Sequence, residues 1–368
     1  MTSARARCWV VAGGGTGGHV TPALALGERI VARGDRVLFL GTERGLETRL
    51  VPEAGFELVT LPSRPLQGRT RRERVAALAG LPGVTWRARR VLRRHRAAIV
   101  ISVGGYAAVA PALAAAWLRI PLALVNTDAV PGLANRVAGR FARRIFLGFE
   151  EAAAAFGADP ERVCVPGIPV RRALVEAFSG APERRVPESP IRLLVFGGSQ
   201  GARQLNDLML AALPRLDLSR LEIFHQTGAA DRERVARGYA EAGARAEVVA
   251  FQRDMPRRYR WADLALCRSG ALTVAELMLA GLPALLVPYP HAANDEQRAN
   301  ARALEAAGAA RVLPSRELGV ERLLAELEPL VADPARLRAM GERTTKLARP
   351  RAAEDVVERC AALLEQGV

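Results

Sequence analysis

Residues 8–26 read CWVVAGGGTGGHVTPALAL, and residues 191–202 read IRLLVFGGSQGA. In both, an uncharged apolar run too short for a helix ends in a glycine cluster. A strand buried on both faces, a tight glycine turn and a helix make the opening unit of a parallel α/β domain. The unit occurs twice. Outward from each copy, short apolar runs alternate with helical patterns. The first series is CWVVA (8–12), RVLFL (36–40), AIVIS (98–102), PLALV (121–125) and RRIFL (143–147). The second is IRLLVF (191–196), LEIFHQ (221–226), EVVAF (247–251), DLALC (263–267) and PALLVP (283–288). Two series predict two doubly wound α/β domains. Proline, glycine and charge at 166–172 and 179–190 mark the linker, so the domains are read as 1–168 and 169–349. A last helix, roughly 351–366 within the segment 350–368, is free to pack anywhere, the first domain included.

The chain has 368 residues, half of them apolar and a quarter charged, which is globular composition. Its formal charge of +15 predicts an anionic partner, although most of the excess is arginine and part of it can reflect a GC-rich genome. The four cysteines show no CxxC pair or metal-ligand spacing. Cys8, Cys164 and Cys267 read as buried free thiols in strands, which fits a reducing compartment. The apolar run behind Arg5 and Arg7 is too short for a secretory signal, and 107–118 is too short to span a bilayer.

Glycine is needed where backbone N–H groups at a helix start approach a phosphate closely. GGGTGGH lacks the lysine of a Walker loop, and neither loop gives GxGxxG with a downstream acid. A turn with no ligand therefore stays open for each, but one loop per half suits a cleft between domains. His19 closes the first loop at the start of a helix that Pro22 helps to begin. It is expected to be exposed, with its pKa lowered by the helix N-terminus, and to serve as a neutral base or hydrogen-bond donor; a packing or capping histidine is the alternative. In CRSGALTVAEL (267–277), Ser269 and Gly270 form a turn before a helix whose first N–H groups suit a diphosphate. Glu276, a turn and a half further on, is placed to accept from both hydroxyls of a ribose, or is merely a solvated glutamate.

Between Arg64 and Arg96 there are eleven arginines against one acid, Glu73. After a break at Pro82–Gly83, residues 84–96 predict a helix with Val84, Ala88, Val91, Leu92 and His95 facing the core. Trp86 projects the other way, among Arg89, Arg90 and Arg93. An anionic membrane surface explains an exposed tryptophan ringed by arginine, with Val75, Leu78 and Trp117 adding apolar contact. A solvated arginine face and a nucleic-acid patch are the alternatives. Aromatics make up only 5% of the chain, which argues against nucleic acid.

GGGTGGHVTPALAL, GGY (104–106), VPGLANR (130–136), GGSQGARQLN, CRSGALTVAEL and HAANDEQRAN (291–300) together resemble the MurG family, in the same order over about residues 8 to 310. The resemblance implies a GT-B fold, two Rossmann-like domains facing a central cleft. It implies inverting transfer of N-acetylglucosamine from UDP-GlcNAc to the C4 hydroxyl of the MurNAc of lipid I (undecaprenyl-pyrophosphoryl-MurNAc-pentapeptide), giving lipid II and UDP. The enzyme would work at the cytoplasmic face of the membrane. A related transferase acting on another lipid, such as diacylglycerol, is the alternative; an NAD-dependent oxidoreductase is the rival on the same scaffold. By the same resemblance, Arg171, Ser199, Gln200, Gly201, Phe251, Gln252, Ala271, Leu272, Thr273, Glu276 and Gln297 bind the donor, with Thr16, Gly17 and Gly18. Phe251 would lie on uracil and Gln297 would touch the sugar hydroxyls. Gly14, Gly15, Gly104, Gly105, Tyr106 and Asn135 would hold the acceptor. No cofactor and no metal site are implied, and stimulation by a divalent cation stays open. The chain departs from the family at Val125–Asp128, where the family reads HEQN, and at Ile168, where it has asparagine. Asp128 therefore joins His19 as a candidate general base, with His19 ranked first.

Overall fold

A computed structural model describes residues 6–63, 71–157, 159–180, 186–198, 201–290, 292 and 295–366, with backbone only for 71–78. Contacts divide the chain into two compact units, Met1–Arg172 with Pro350–Val368, and Ala173–Arg349. The first contains β1 (Cys8–Gly13), α1 (Gly17–Ala32), β2 (Arg36–Thr42), α2 (Glu47–Glu53), β3 (Glu57–Leu61) and α3 (Arg71–Arg94). It continues through β4 (Ala97–Gly104), α4 (Val109–Leu118), β5 (Leu122–Asn126), α5 (Leu133–Gly139), β6 (Arg144–Leu147) and β7 (Val163–Cys164). A helix α6 (Arg172–Phe178) begins at the boundary. The second unit contains β8 (Ile191–Phe196), α7 (Arg203–Ala212), β9 (Leu221–Gln226), α8 (Arg232–Glu241), β10 (Ala246–Val249) and α9 (Met255–Trp261). Then follow β11 (Leu264–Cys267), α10 (Ala271–Ala280), β12 (Ala284–Leu286), α11 (Glu296–Ala306), β13 (Ala310–Val312), α12 (Val320–Ala332) and α13 (Pro334–Lys346). The last helix, α14 (Ala352–Glu365), returns to the first unit, where Val356, Val357 and Cys360 bury themselves with α1 residues in one core.

Each unit has one parallel sheet, in the order β3-β2-β1-β4-β5-β6-β7 and β10-β9-β8-β11-β12-β13. The chain order reverses beside β1 and β4, and again beside β8 and β11. These are topological switch points, where loops leaving neighbouring strands diverge and open a crevice at the carboxyl ends. All four loops at these two points are among the glycine-bearing segments already singled out.

The boundary falls at Arg172 rather than residue 168. Glu28 of α1 accepts from Arg171 Nε (2.8 Å) and from the Arg172 N–H (2.9 Å), which ties these residues to the first unit. Helix α3 runs unbroken through Pro82 and Gly83. Both are exposed, so water can satisfy the carbonyl that loses its partner, while buried Thr85, Ala88 and Leu92 keep the following turns packed. Of the expected stripe, Val84, Val91 and His95 are only half-buried. Cys164 is half-buried too, because β7 is a two-residue edge strand. Strand β10 stops at Val249, and α1 starts at Gly17, so Pro22 lies within the helix instead of opening it.

The second core holds one buried polar chain. His225 Nδ1 and Nε2 lie 3.0 Å from Tyr239 Oη and from Asn206 Oδ1. Asn206 Nδ2 donates to the Thr227 carbonyl (3.0 Å) and to Asp231 (2.8 Å). Burial pushes the His225 pKa down to about 3. The unfolded chain takes up a proton near pH 6.5, whereas the folded chain does not until far lower. His225 should therefore contribute a loss of about 1.4 kcal/mol per pH unit below pH 6.5, opposed over the same range by Glu276 of the same unit, whose folded pKa is raised to about 7. Urea midpoints of Glu276→Gln between pH 7 and 5 check this: the variant should lose stability on acidification more steeply than the wild type, and a flat profile in the variant would contradict it.

Candidate functional site

The first glycine loop leaves β1 at Gly13 and turns into α1. Its shape is set by a residue the sequence reading did not single out. Glu47, at the start of α2, is 1% exposed. Its carboxylate accepts from the Gly15 N–H and from the Thr42 N–H and Oγ1, each at 2.8 Å. A Cβ on Gly14, Gly41 or Gly45 would fall 2.2, 2.5 or 1.9 Å from Glu47 atoms. So Gly14 is required by an internal carboxylate, and the Gly15 N–H is already engaged by it. The only sequence signal was an acid in the glycine-flanked turn GTERGLE after β2.

The second strand of this switch point, β4, ends in Gly104 and Gly105, both with positive φ (+99° and +75°). The His19 ring lies against them: a Cβ on either would come within 3.2 Å of its carbons. His19 is half-buried, not exposed, because this backbone covers one face of it. Burial, rather than the helix N-terminus, is the largest influence lowering its pKa, while the charges of Asp128 and Glu47 and the Val103 carbonyl raise it. Its Nδ1 is buried without a hydrogen-bond partner. Asp128 is half-buried at the β5 exit, with Thr127 Oγ1 3.4 Å from its carboxylate. Asn135 donates to Asn126 Oδ1 (2.8 Å), and Asn126 Nδ2 donates to the Asp128 carbonyl (2.6 Å). Tyr106 lies beside Gly15, whose Cβ would meet its ring at 3.3 Å. Gly148 lies between Ile168 and the Thr127 carbonyl, which a Cβ there would meet at 2.6 and 2.5 Å. Thus Gly14, Gly15, His19, Gly104, Gly105, Tyr106, Asp128 and Asn135 form one cluster. Thr16, Gly17 and Gly18 start α1, whose N-terminus has no side-chain cap and no acid in its first turn. Arg171, also in this unit, is ion-paired to Glu28 (2.7 Å), which holds its guanidinium on α1.

In the second unit, Ser199 and Gln200 lie outside the described residues. Gly201 has φ +76°, and a Cβ there would sit 2.0 Å from the Thr227 carbonyl. Gln226 Nε2 holds the same loop through the Gly198 carbonyl (2.6 Å). At β11, Ser269 is fully buried and turns its hydroxyl to the Gln297 carbonyl (2.8 Å), while Asn300 donates to the Ser269 carbonyl (3.2 Å). Helix α10 therefore begins at Ala271, Leu272 and Thr273 with no side-chain cap and no acid in its first turn. Such N–H groups, with the positive end of the helix dipole, favour an anion. Gln297 uses Oε1 to accept from the Tyr289 N–H (3.0 Å), which leaves its amide NH₂ as the end available to a ligand. Arg268, absent from the expected site, donates to the Val287 and Pro288 carbonyls and to Gln204 Oε1 at 3.1–3.2 Å. Phe251 is 54% exposed in the loop after β10, and Gln252 Nε2 donates to the Asp254 carbonyl. Glu276 is no solvated glutamate: burial raises its pKa to about 7, against a hydrogen bond from Tyr259 Oη at 2.6 Å.

Trp86 and Trp117 are 47% and 59% exposed, with Arg90 over the first ring and Arg89 over the second, each at 4.8 Å. With Leu81, Pro82, Thr85 and Leu113 they line an open apolar groove of about 510 Å³ between α3 and α4. The side chains of Val75 and Leu78 lie outside the described residues. Among the described residues, no group of three His, Cys, Asp or Glu side chains is arranged to hold a metal, and no helix is long and apolar enough to cross a membrane.

Removing the Glu47 carboxylate strands two backbone N–H groups and a hydroxyl. Glu47→Ala should cost about 3 kcal/mol of stability in the first unit. Urea titration checks this, and a loss below about 0.5 kcal/mol would contradict the loop-bracing role.

The glycosyltransferase family 28 N-terminal domain matches residues 9–147, and the family 28 C-terminal domain matches 192–356. A curated relative from Alkalilimnicola ehrlichii is 45% identical over 354 residues, covering 95% of this chain and 97% of its own. One from Anaeromyxobacter sp. is 43% identical over 362 residues, covering 97% and 93%. Both are named UDP-N-acetylglucosamine–N-acetylmuramyl-(pentapeptide) pyrophosphoryl-undecaprenol N-acetylglucosamine transferase. The crystal structure of Acinetobacter baumannii MurG superposes with a TM-score of 0.80 at 30% identity, covering 98% of this chain and 99% of that one. On these matches, spanning both units, the chain belongs to glycosyltransferase family 28 and to its MurG branch.

Proposed function

We propose that this chain transfers N-acetylglucosamine from UDP-GlcNAc to the C4 hydroxyl of the MurNAc in lipid I, yielding lipid II and UDP with inversion. The observation that carries the reading within the site is the uncapped start of α10, with Glu276 held a turn and a half further on. An exposed phenylalanine after β10 suits an aromatic base, the bare N–H groups suit a diphosphate, and the glutamate suits a ribose diol. The full-length likeness to relatives carrying that name supports the same substrates.

Two tasks fall to the protein. The leaving diphosphate gains negative charge as the glycosidic bond to UDP breaks, and the N-terminus of α10 stabilises it. The attacking hydroxyl must lose a proton, and His19 is assigned to take it. Its lowered pKa keeps the imidazole neutral at physiological pH, as a base must be. The Asp128 charge then favours the imidazolium that forms, so Asp128 is assigned to support His19. The groove at Trp86 and Trp117 is assigned to the cytoplasmic leaflet: the indoles enter the headgroup region while Arg89, Arg90 and Arg93 meet lipid phosphates.

Labelled UDP-GlcNAc offered with lipid I and diacylglycerol as competing acceptors should label lipid I alone; labelled diacylglycerol would overturn the acceptor assignment. His19→Ala should lower kcat by ~10²-fold or more at saturating substrates. In the wild type at saturating donor, where the Glu276 titration no longer limits binding, kcat should fall with decreasing pH through a midpoint below 6.5, because His19 loses its base form on protonation; a wild-type-like His19→Ala removes it as base. Trp86→Ala combined with neutralised Arg89, Arg90 and Arg93 should release the protein from anionic vesicles, and unchanged sedimentation would sink the membrane assignment.

A further inference from the structure

Tyr259 has no part in the reaction as described, yet its hydroxyl is hydrogen-bonded to the Glu276 carboxyl. It is 1% exposed, fixed by α9 and packed edge-on to Phe196 (centroids 6.0 Å apart, planes at 62°). Asp254 caps α9 by accepting from the Arg257 N–H, which sets where the helix begins and so where Tyr259 points. Its Oη donates to Glu276 Oε2 at 2.6 Å, within the roughly 2.5–2.7 Å expected of a hydroxyl on a charged carboxylate.

A carboxylate has two oxygens and about four acceptor positions. Tyr259 occupies one of these on Oε2, and among the described residues nothing donates to Oε1. The remaining positions lie on both oxygens of a group that can no longer rotate. That pattern fits two neighbouring donors on one face, as a cis diol presents. A partner with a single hydroxyl would cover the second oxygen without donating to it, which is costly.

We infer that Tyr259 is a positioning residue that fixes the plane of the Glu276 carboxyl, and so makes the site demand a ribose rather than a 2′-deoxyribose donor. The inference rests on the assignment of the ribose to Glu276. Burial raises the Glu276 pKa, and the Tyr259 hydroxyl works against that rise. The Cys267 thiol on β11 also faces this pair, but burial pushes its own pKa up and keeps it neutral. Losing the Tyr259 hydroxyl therefore moves the Glu276 pKa further up.

The test compares UDP-GlcNAc with its 2′-deoxyuridine analogue in wild type, Tyr259→Phe and Glu276→Gln. Tyr259→Phe keeps the ring against Phe196. Its donor KM should rise roughly tenfold, more than kcat falls. The preference for ribose over 2′-deoxyribose should shrink severalfold, and the pH midpoint of donor KM should move upward. The preference is a ratio within one preparation, so a reduced folded fraction leaves it unaltered. If Tyr259→Phe raises KM but keeps the wild-type preference and midpoint, the residue only fills space and the inference fails. If Glu276→Gln also keeps the preference, the ribose is not read by Glu276, and the assignment beneath the inference fails instead.

Discussion

The chemistry of this chain depends on the reversal of strand order beside β1 and β8. In a parallel sheet every strand delivers its loop to the same edge, but only at a reversal do neighbouring loops turn to opposite faces and leave room between them. Here the four loops at the two reversals are GGGTGGH, GGY, GGSQGA and RSG. Apolar strands buried on both faces fix the sheet and the sheet fixes these loops, so long-range packing places the candidate site residues before any of them meets a ligand.

The two switch points share this architecture and differ in how their backbone donors are used. In the first unit the buried Glu47 carboxylate binds the glycine loop from inside, and the His19 ring lies on the Gly104–Gly105 backbone. That suits a site whose work is proton removal, with a histidine kept neutral by burial. In the second unit the N-cap position of α10 is Gly270, which has no side chain, and the preceding Ser269 turns away to Gln297, so α10 starts with bare N–H groups. A natural cap there would compete with an anion for those groups. Glycine in the cap position costs only a few tenths of a kcal/mol of helix stability relative to serine, little against the charge it leaves room for.

The central strands were legible in the sequence because burial on both faces leaves them uniformly apolar, and most were placed to within two residues. Strands β3 and β13 were missed because they are short and carry exposed residues among buried ones, so no run of apolar residues marks them. The Pro82–Gly83 break failed because local propensity says nothing of the packing that continues α3 past it. Glu276 and the α10 start were readable from the family likeness and from strand–turn–helix logic. Glu47, Arg268 and Tyr259 were not, since each is hydrogen-bonded to a partner distant in sequence, which a linear pattern does not reveal. For His19 the direction of the pKa shift was readable and its main cause was not, because that cause is the Gly104–Gly105 backbone packed against it.

A crystal structure of the chain with UDP tests the central claim most directly. Diphosphate oxygens should lie about 2.7–3.2 Å from the backbone nitrogens at the start of α10, with both ribose hydroxyls on the Glu276 carboxylate. A diphosphate bound away from Ala271–Thr273, with those N–H groups still in solvent, would contradict it.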